Sequence, residues 1–146
     1  MDPSRRESSG PGSSVNGVGP RVLLLLPPIG GRMNFPPLGL MYLQAALKAA
    51  GIEARLFDGS ARPRAEVLDL IKAYHPDFIG LSCWTIGRRN VFDWIKILKE
   101  TTPAQVLIGG QHASIYPEHL LARGADVVFT GEAELTLPAF LQAYPD

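Results

Sequence analysis

Five short strand-like runs, each stopped by glycine, proline or polar residues and separated by stretches of helical character, constrain this chain more than any other feature. The runs are Val22 to Leu26, Glu53 to Phe57, Phe78 to Leu81, Gln105 to Ile108 and Val127 to Thr130. A strand buried on both faces reads as a continuous apolar run, as strands of a parallel sheet do. Glu53 to Phe57 alternates instead and is the most polar of the five, as an edge strand should be. Between the runs, Leu40, Leu43 and Leu47 fall on one helical face of Leu38 to Ala50, and Val67, Leu68 and Ile71 do so within Ala65 to Tyr74. Asn90 to Glu100 carries Val91, Trp94, Ile95 and Leu98 inward. A short helix is predicted around Pro117 to Ala122, and Leu135 to Tyr144 closes the chain. Gly51 stands where a helix C-terminus favours a left-handed residue, and His75-Pro76-Asp77 breaks the second helix.

Strands alternating with helices pair in parallel through right-handed crossovers. The predicted fold class is therefore α/β, a flavodoxin-like (Rossmann-like) doubly wound five-stranded parallel sheet of order 2-1-3-4-5. Its switch point lies between the first and third strands. Residues 1–20 are rich in Ser, Gly and Pro and cannot bury enough surface to offset their ordering entropy, so they read as a disordered tail before one domain over residues 21–146.

Composition removes several classes of function. Lys plus Arg and Asp plus Glu number 14 each, so no basic excess points to nucleic acid or anionic lipid. No apolar stretch reaches the length of a membrane span, and no hydrophobic region follows the N-terminal arginines as in a secretory signal. The single cysteine, Cys83, excludes an intrachain disulfide and any multi-cysteine zinc or iron–sulfur site. A reducing cytoplasm is the simplest compartment.

The working edge is marked by two glycine-punctuated strand ends, Ile108-Gly109-Gly110-Gln111-His112 and Phe129-Thr130-Gly131-Glu132-Ala133-Glu134. Glycine there lets a ligand approach the backbone, at the edge where open α/β sheets bind ligands. A flavodoxin phosphate loop would need Ser and Thr after the first strand, where Pro27-Pro28-Ile29-Gly30-Gly31-Arg32 stands. A phosphoacceptor receiver would need an Asp ending the third strand, where Ser82-Cys83-Trp84 stands. A dinucleotide site would need Gly-x-Gly-x-x-Gly in the first turn; that motif is absent, although Asp58 occupies the place of a ribose-binding acid. Cys83 with His112 offers a nucleophilic pair, but a lone cysteine beside a tryptophan is more often packed or ligand-lining. Glu132 and Glu134 offer a carboxylate pair, yet acids at a helix start are explained more simply by the helix dipole.

Read in order, several blocks resemble the B12-binding domain at the front of cobalamin-dependent radical SAM enzymes. They are Val22-Leu23-Leu24-Leu25-Leu26-Pro27-Pro28, Pro36-Pro37-Leu38-Gly39-Leu40-Met41-Tyr42-Leu43, Asp77-Phe78-Ile79-Gly80-Leu81-Ser82, Gly109-Gly110-Gln111-His112-Ala113 and Gly131-Glu132-Ala133-Glu134-Leu135. The resemblance implies cobalamin held against the carboxyl ends of the strands, with the nucleotide tail descending beside the first helix. It implies that Pro28, Gly30 and Gly31 line the corrin edge and that Ser82, Cys83, Trp84 and Thr85 approach the lower face or tail. Gly109, Gly110, Gln111 and His112 would contact ring side chains or tail, and Gly131 and Glu132 would close the site.

Two departures bear on mechanism. Methionine-synthase-like and mutase-like relatives carry Asp-x-His-x-x-Gly after the first strand, whereas Leu26 to Phe35 holds neither Asp nor His. Cobalamin would then sit without a protein histidine on cobalt. A radical SAM cluster also needs three thiolates, and this chain has one cysteine. The expectation is a cobalamin-binding module, without catalytic residues or metal ligands of its own. It would serve a radical SAM (methyltransferase-like) chain in trans or be a fragment of such an enzyme. The competing expectation is a degenerate interaction or regulatory domain that no longer binds cobalamin.

Overall fold

The computed structural model describes residues 19–31 and 36–144; the tail expected over residues 1–20 lies, up to residue 18, outside them. The chain alternates β1 (Val22–Leu26), α1 (Leu38–Ala49), β2 (Ala54–Asp58), α2 (Arg64–Tyr74), β3 (Phe78–Ser82), α3 (Arg88–Thr101), β4 (Gln105–Gly109), α4 (Gln111–Ile115), α5 (Pro117–Ala122), β5 (Val127–Val128) and α6 (Ala133–Ala143). All four strand pairings are parallel, and the sheet runs β2-β1-β3-β4-β5. This is the expected doubly wound, flavodoxin-like order.

Because strand side chains alternate between faces, the sheet feeds two cores. Leu23, Leu25, Ile79, Leu81, Val106 and Ile108 pack with Val67 and Ile71 of α2, Val91, Trp94, Ile95 and Leu98 of α3, and Leu120 of α5. Val22, Leu24, Phe78 and Leu107 face the other way, onto Leu40 and Leu47 of α1 and Leu137 and Leu141 of α6. Burying each such aliphatic side chain contributes about 1.5–3 kcal/mol. The edge strand β2 is only partly buried.

Two elements differ from expectation. Gln111 to Ile115 forms a short helix where only a loop was expected, because a five-residue helix leaves no periodicity to read. The last strand stops at Val128 rather than Thr130, although the Phe129 N–H still donates to the Ile108 carbonyl at 2.8 Å. Elsewhere the boundaries move by one or two residues. His75 ends α2 in the left-handed region at φ 52°, which histidine tolerates better than most residues, and is exposed. Among the described residues no helix is long and apolar enough to cross a membrane.

Candidate functional site

The carboxyl ends of β1 and β3 diverge at the switch point, because one continues toward α1 and the other toward α3. Two cavities open there. The larger, about 550 Å³, is an apolar groove between the starts of α1 and α3, walled by Leu26, Pro27, Ile29, Pro37, Trp84 and Ile86. The smaller, about 160 Å³, is a slot running down the α1/α6 face of the sheet. Gly39, Leu40 and Ser82 line both, so the two adjoin.

The slot exists because two strand positions lack side chains. Gly80 interrupts the centre of β3 on the face that carries Leu24 and Leu107, and Gly109 ends β4. A Cβ at Gly80 would lie 3.0 Å from Leu24 Cδ2, whereas at Gly109 and Gly39 it would meet nothing within 4 Å. Phe129, Leu137 and Leu43 supply apolar walls, and Ser82, Glu132 and Glu134 bring polar groups. Glu134 Oε2 is buried and is the one buried side-chain oxygen or nitrogen without a hydrogen-bond partner among the described residues.

The surrounding loops are pinned by named bonds. Asn90 Nδ2 donates to the Pro28 carbonyl at 3.1 Å, and the Ile29 N–H donates to the Ser60 carbonyl at 3.2 Å. Asp58, the candidate ribose acid, instead accepts from the Ser60 hydroxyl at 2.6 Å and the Ser60 N–H at 3.0 Å. The Cys83 N–H donates to the Gly109 carbonyl at 2.8 Å, and the His112 N–H donates to the Cys83 carbonyl at 2.9 Å. Ser114 links the last two loops, accepting from the Gly131 N–H at 2.9 Å and donating to the Gly110 carbonyl at 3.1 Å.

The structure divides the residues selected from sequence. Pro28, Gly30, Gly31, Ser82, Trp84, Thr85, Gly109, Gly110, Gln111, Gly131 and Glu132 gather along the carboxyl edge. Of these, Ser82 and Trp84 line the groove, and Ser82, Gly109, Gly110, Gly131 and Glu132 line the slot. Trp84 is 52% exposed there. Cys83 and His112 share the edge through their backbones only, since both side chains are buried beneath it on the α3 side. The Cys83 thiol is pushed up to about 11 by burial, slightly offset by Arg88. The His112 imidazole meets Thr85 Oγ1 through Nδ1 at 3.2 Å and His119 Nδ1 through Nε2 at 3.3 Å. Burial foremost, then His119 and Arg88, hold it below the usual histidine range. Neither the Cys83–His112 pair nor a metal cluster is assembled: no Cys83–His112 side-chain hydrogen bond and no group of three metal-ligating side chains occurs among the described residues.

Gly80, Gly39 and Glu134 are among the lining residues that strand-end reasoning did not select. The signal for Gly80 was present, because glycine inside a central strand marks a close approach of another group.

An uncharacterized methyltransferase of Pyrococcus horikoshii is 28% identical over 134 residues, covering 84% of this chain and 29% of its own length. The radical S-adenosylmethionine methyltransferase TsrM from Kitasatospora setae, with cobalamin and an iron–sulfur cluster bound, superposes with a TM-score of 0.69 at 24% identity, covering 86% of this chain and 26% of TsrM. A cobalamin-binding protein from Desulfitobacterium hafniense gives a TM-score of 0.66 at 20% identity, over 87% of this chain and 59% of that protein. The chain thus spans less than a third of the length of these two methyltransferases. The family model of the B12 binding domain matches residues 32–141, and the chain belongs to that family.

Proposed function

We propose that this domain holds cobalamin at the switch point, with the corrin body over the apolar groove and the nucleotide tail in the slot. The observation that carries this reading is the adjoining pair of cavities, one broad and apolar, the other narrow with a glycine floor at Gly80. A large apolar ring with peripheral amides suits such a place, since ligand sites are mostly apolar with a few placed polar groups. The residues fit the cofactor: Gly80 leaves the floor of the slot without a side chain, and Ser82, Glu132 and Glu134 place polar groups in an otherwise apolar lining. When bound, cobalamin supplies methyl or electron transfer, while the protein supplies position and surroundings.

The chain's own part is to orient and to exclude water. Asn90 and Ser60 fix the Pro28–Ile29 segment at one rim of the groove, and Trp84 and Ile86 offer apolar surface at the other. Cobalt would lack a protein histidine. Supporting this, no histidine lines either cavity: His75 ends α2, and His112 and His119 bond to each other behind Thr85. The methyltransferase relatives support a role beside a radical SAM unit, in trans or in the same enzyme, and a reducing cytoplasm would suit the free Cys83 thiol.

The test is an absorbance titration with hydroxocobalamin and methylcobalamin. Saturable binding with a base-off methylcobalamin spectrum is expected. Gly39→Phe should stay folded, because a Cβ there meets nothing within 4 Å, yet lose binding by filling the junction of groove and slot. Absence of binding by folded wild-type protein would favour a scaffold that has lost its ligand.

A further inference from the structure

We propose that His112 is a positioning residue for the ligand groove: through Thr85 it fixes the loop that carries Trp84 and Ile86, so that this wall is set before a corrinoid arrives. The inference rests on the cobalamin reading above and deepens it, by tracing the rigidity of the wall to one buried side chain.

The loop from Trp84 to Gly87 alternates in and out. Trp84 is 52% exposed and Ile86 99%, and both wall the groove, while Thr85 between them is partly buried. Apolar side chains turned to solvent gain little from burial, so they do not hold a loop in shape. Hydrogen bonds must do so, and they converge on Thr85. Its carbonyl accepts from Arg88 Nη1 at 2.6 Å, and its Oγ1 meets His112 Nδ1 at 3.2 Å. Among the described residues no other side chain of Trp84 to Gly87 has a hydrogen bond. Arg88 follows three residues later in the same segment, whereas His112 ties the loop to a part of the chain 27 residues away.

His112 suits this task because it is itself held fast. Only 2% of its surface is exposed; its N–H donates to the Cys83 carbonyl at 2.9 Å, and its carbonyl accepts from the Tyr116 N–H at 2.8 Å. Its ring packs against Phe92, Tyr116 and His119. Nε2 meets Nδ1 of the exposed His119 at 3.3 Å, so both ring nitrogens are used within the protein. A neutral imidazole offers one donor and one acceptor, and the Thr85 hydroxyl and a neutral His119 can each play either part, so either tautomer completes the chain. That leaves His112 as a support of the wall rather than a contact of the ligand. A wall ordered beforehand spares binding the cost of ordering it.

Hydroxocobalamin should be titrated against wild type, Thr85→Val, Thr85→Ser, His112→Leu and His112→Asn, with thermal unfolding and iodide quenching of each ligand-free protein. The second tryptophan, Trp94, is buried, so iodide reads Trp84. Thr85→Val and His112→Leu break the bond; they should weaken binding about fivefold, as for one neutral hydrogen bond, and raise the quenching of Trp84. Thr85→Ser keeps the hydroxyl and His112→Asn places an amide near the position of Nδ1, so both should stay within about twofold of wild type. Thr85→Val, at a half-buried loop position, decides the matter should His112→Leu fail to fold. Wild-type affinity and quenching in folded Thr85→Val would overturn the role of His112 while leaving cobalamin binding standing. So would losses as large in the conservative variants as in the disruptive ones, or affinity that merely follows melting temperature. Failure of folded wild type to bind hydroxocobalamin would instead overturn the cobalamin reading itself, and this role with it.

Discussion

At Gly110 the absence of one methyl group decides how two loops meet. Its φ of 100° and ψ of −178° lie in a region essentially reserved for glycine. A Cβ would stand 2.8 Å from both the Cys83 carbonyl and Ser82 Oγ. This glycine therefore serves the fold first, and Gly39 is the cleaner place to block the site. Cys83, next to that contact, is buried completely. Its thiol is raised from 9.0 to about 11 by burial, so the folded state keeps a proton that the unfolded chain releases. The resulting stability is fully present below pH 9.0 and is lost as pH rises toward 11. Cys83→Ala should flatten the alkaline fall in melting temperature; identical alkaline slopes in the two proteins would show a freely ionising thiol. Alternation along β3 explains how much of this was legible. Ser82 lies two residues from Gly80 and shares the slot face, while Cys83 turns to the opposite core. Strand ends were readable from composition, but which neighbour faces the site follows from the register of the sheet.

At the scale of elements, α4 is the part least visible in the sequence and most consequential for the edge. It starts at Gly110 and stops before Pro117. It turns His112 into the protein, where α3 and α5 enclose it: Phe92, Tyr116 and His119 have ring centroids 6.2, 5.3 and 5.4 Å from the imidazole. A loop reading would leave that side chain free to meet a ligand; a helix gives it to the core. The bond between His112 Nε2 and His119 Nδ1 needs one proton between the two nitrogens, so protonating both rings makes two donors face each other. The charged and titratable groups around the pair are Arg88 at the start of α3, Tyr116, Glu118 on α5 and Arg123, which sits over the Phe92 ring. Burial, His119 and Arg88 lower the His112 pKa from 6.5, and Glu118 opposes them. The unfolded chain then binds the proton more readily than the folded one. Stability should be fully present above pH 6.5 and fall as the solution is acidified below it. His112→Asn should flatten that acid limb in a series of melting curves, at some cost in stability at neutral pH. An acid limb unchanged by the substitution would place the sensitive group elsewhere.

For the whole molecule, the three-layer fold, helices on both faces of one sheet, separates what must be stable from what must be open. One face of the sheet is sealed by α2, α3 and α5, and the other is sealed by α1 and α6 only as far as the slot. The carboxyl edge is left with Ile29, Leu38, Trp84 and Ile86 at least half exposed, Ile86 at 99%. Contiguous exposed apolar surface of this kind usually marks a binding site. A ligand that covers it and fills the slot binds the folded state alone, because the groove and slot are made by β1, β3, α1 and α6 together and vanish on unfolding. Stability must then rise with free ligand, by about 2.7 kcal/mol at one hundred times the dissociation constant. For a chain of 146 residues this corresponds to a rise of roughly 5–10 °C in melting temperature. Hydroxocobalamin should produce that rise in wild type and little or none in Gly39→Phe, whose ligand-free melting temperature should lie close to wild type. Equal shifts in both proteins would mean that the corrinoid binds somewhere other than the junction of groove and slot. A shift in the wild type alone ties the ligand to the place where the sheet changes direction, so that binding and topology become one property of the fold.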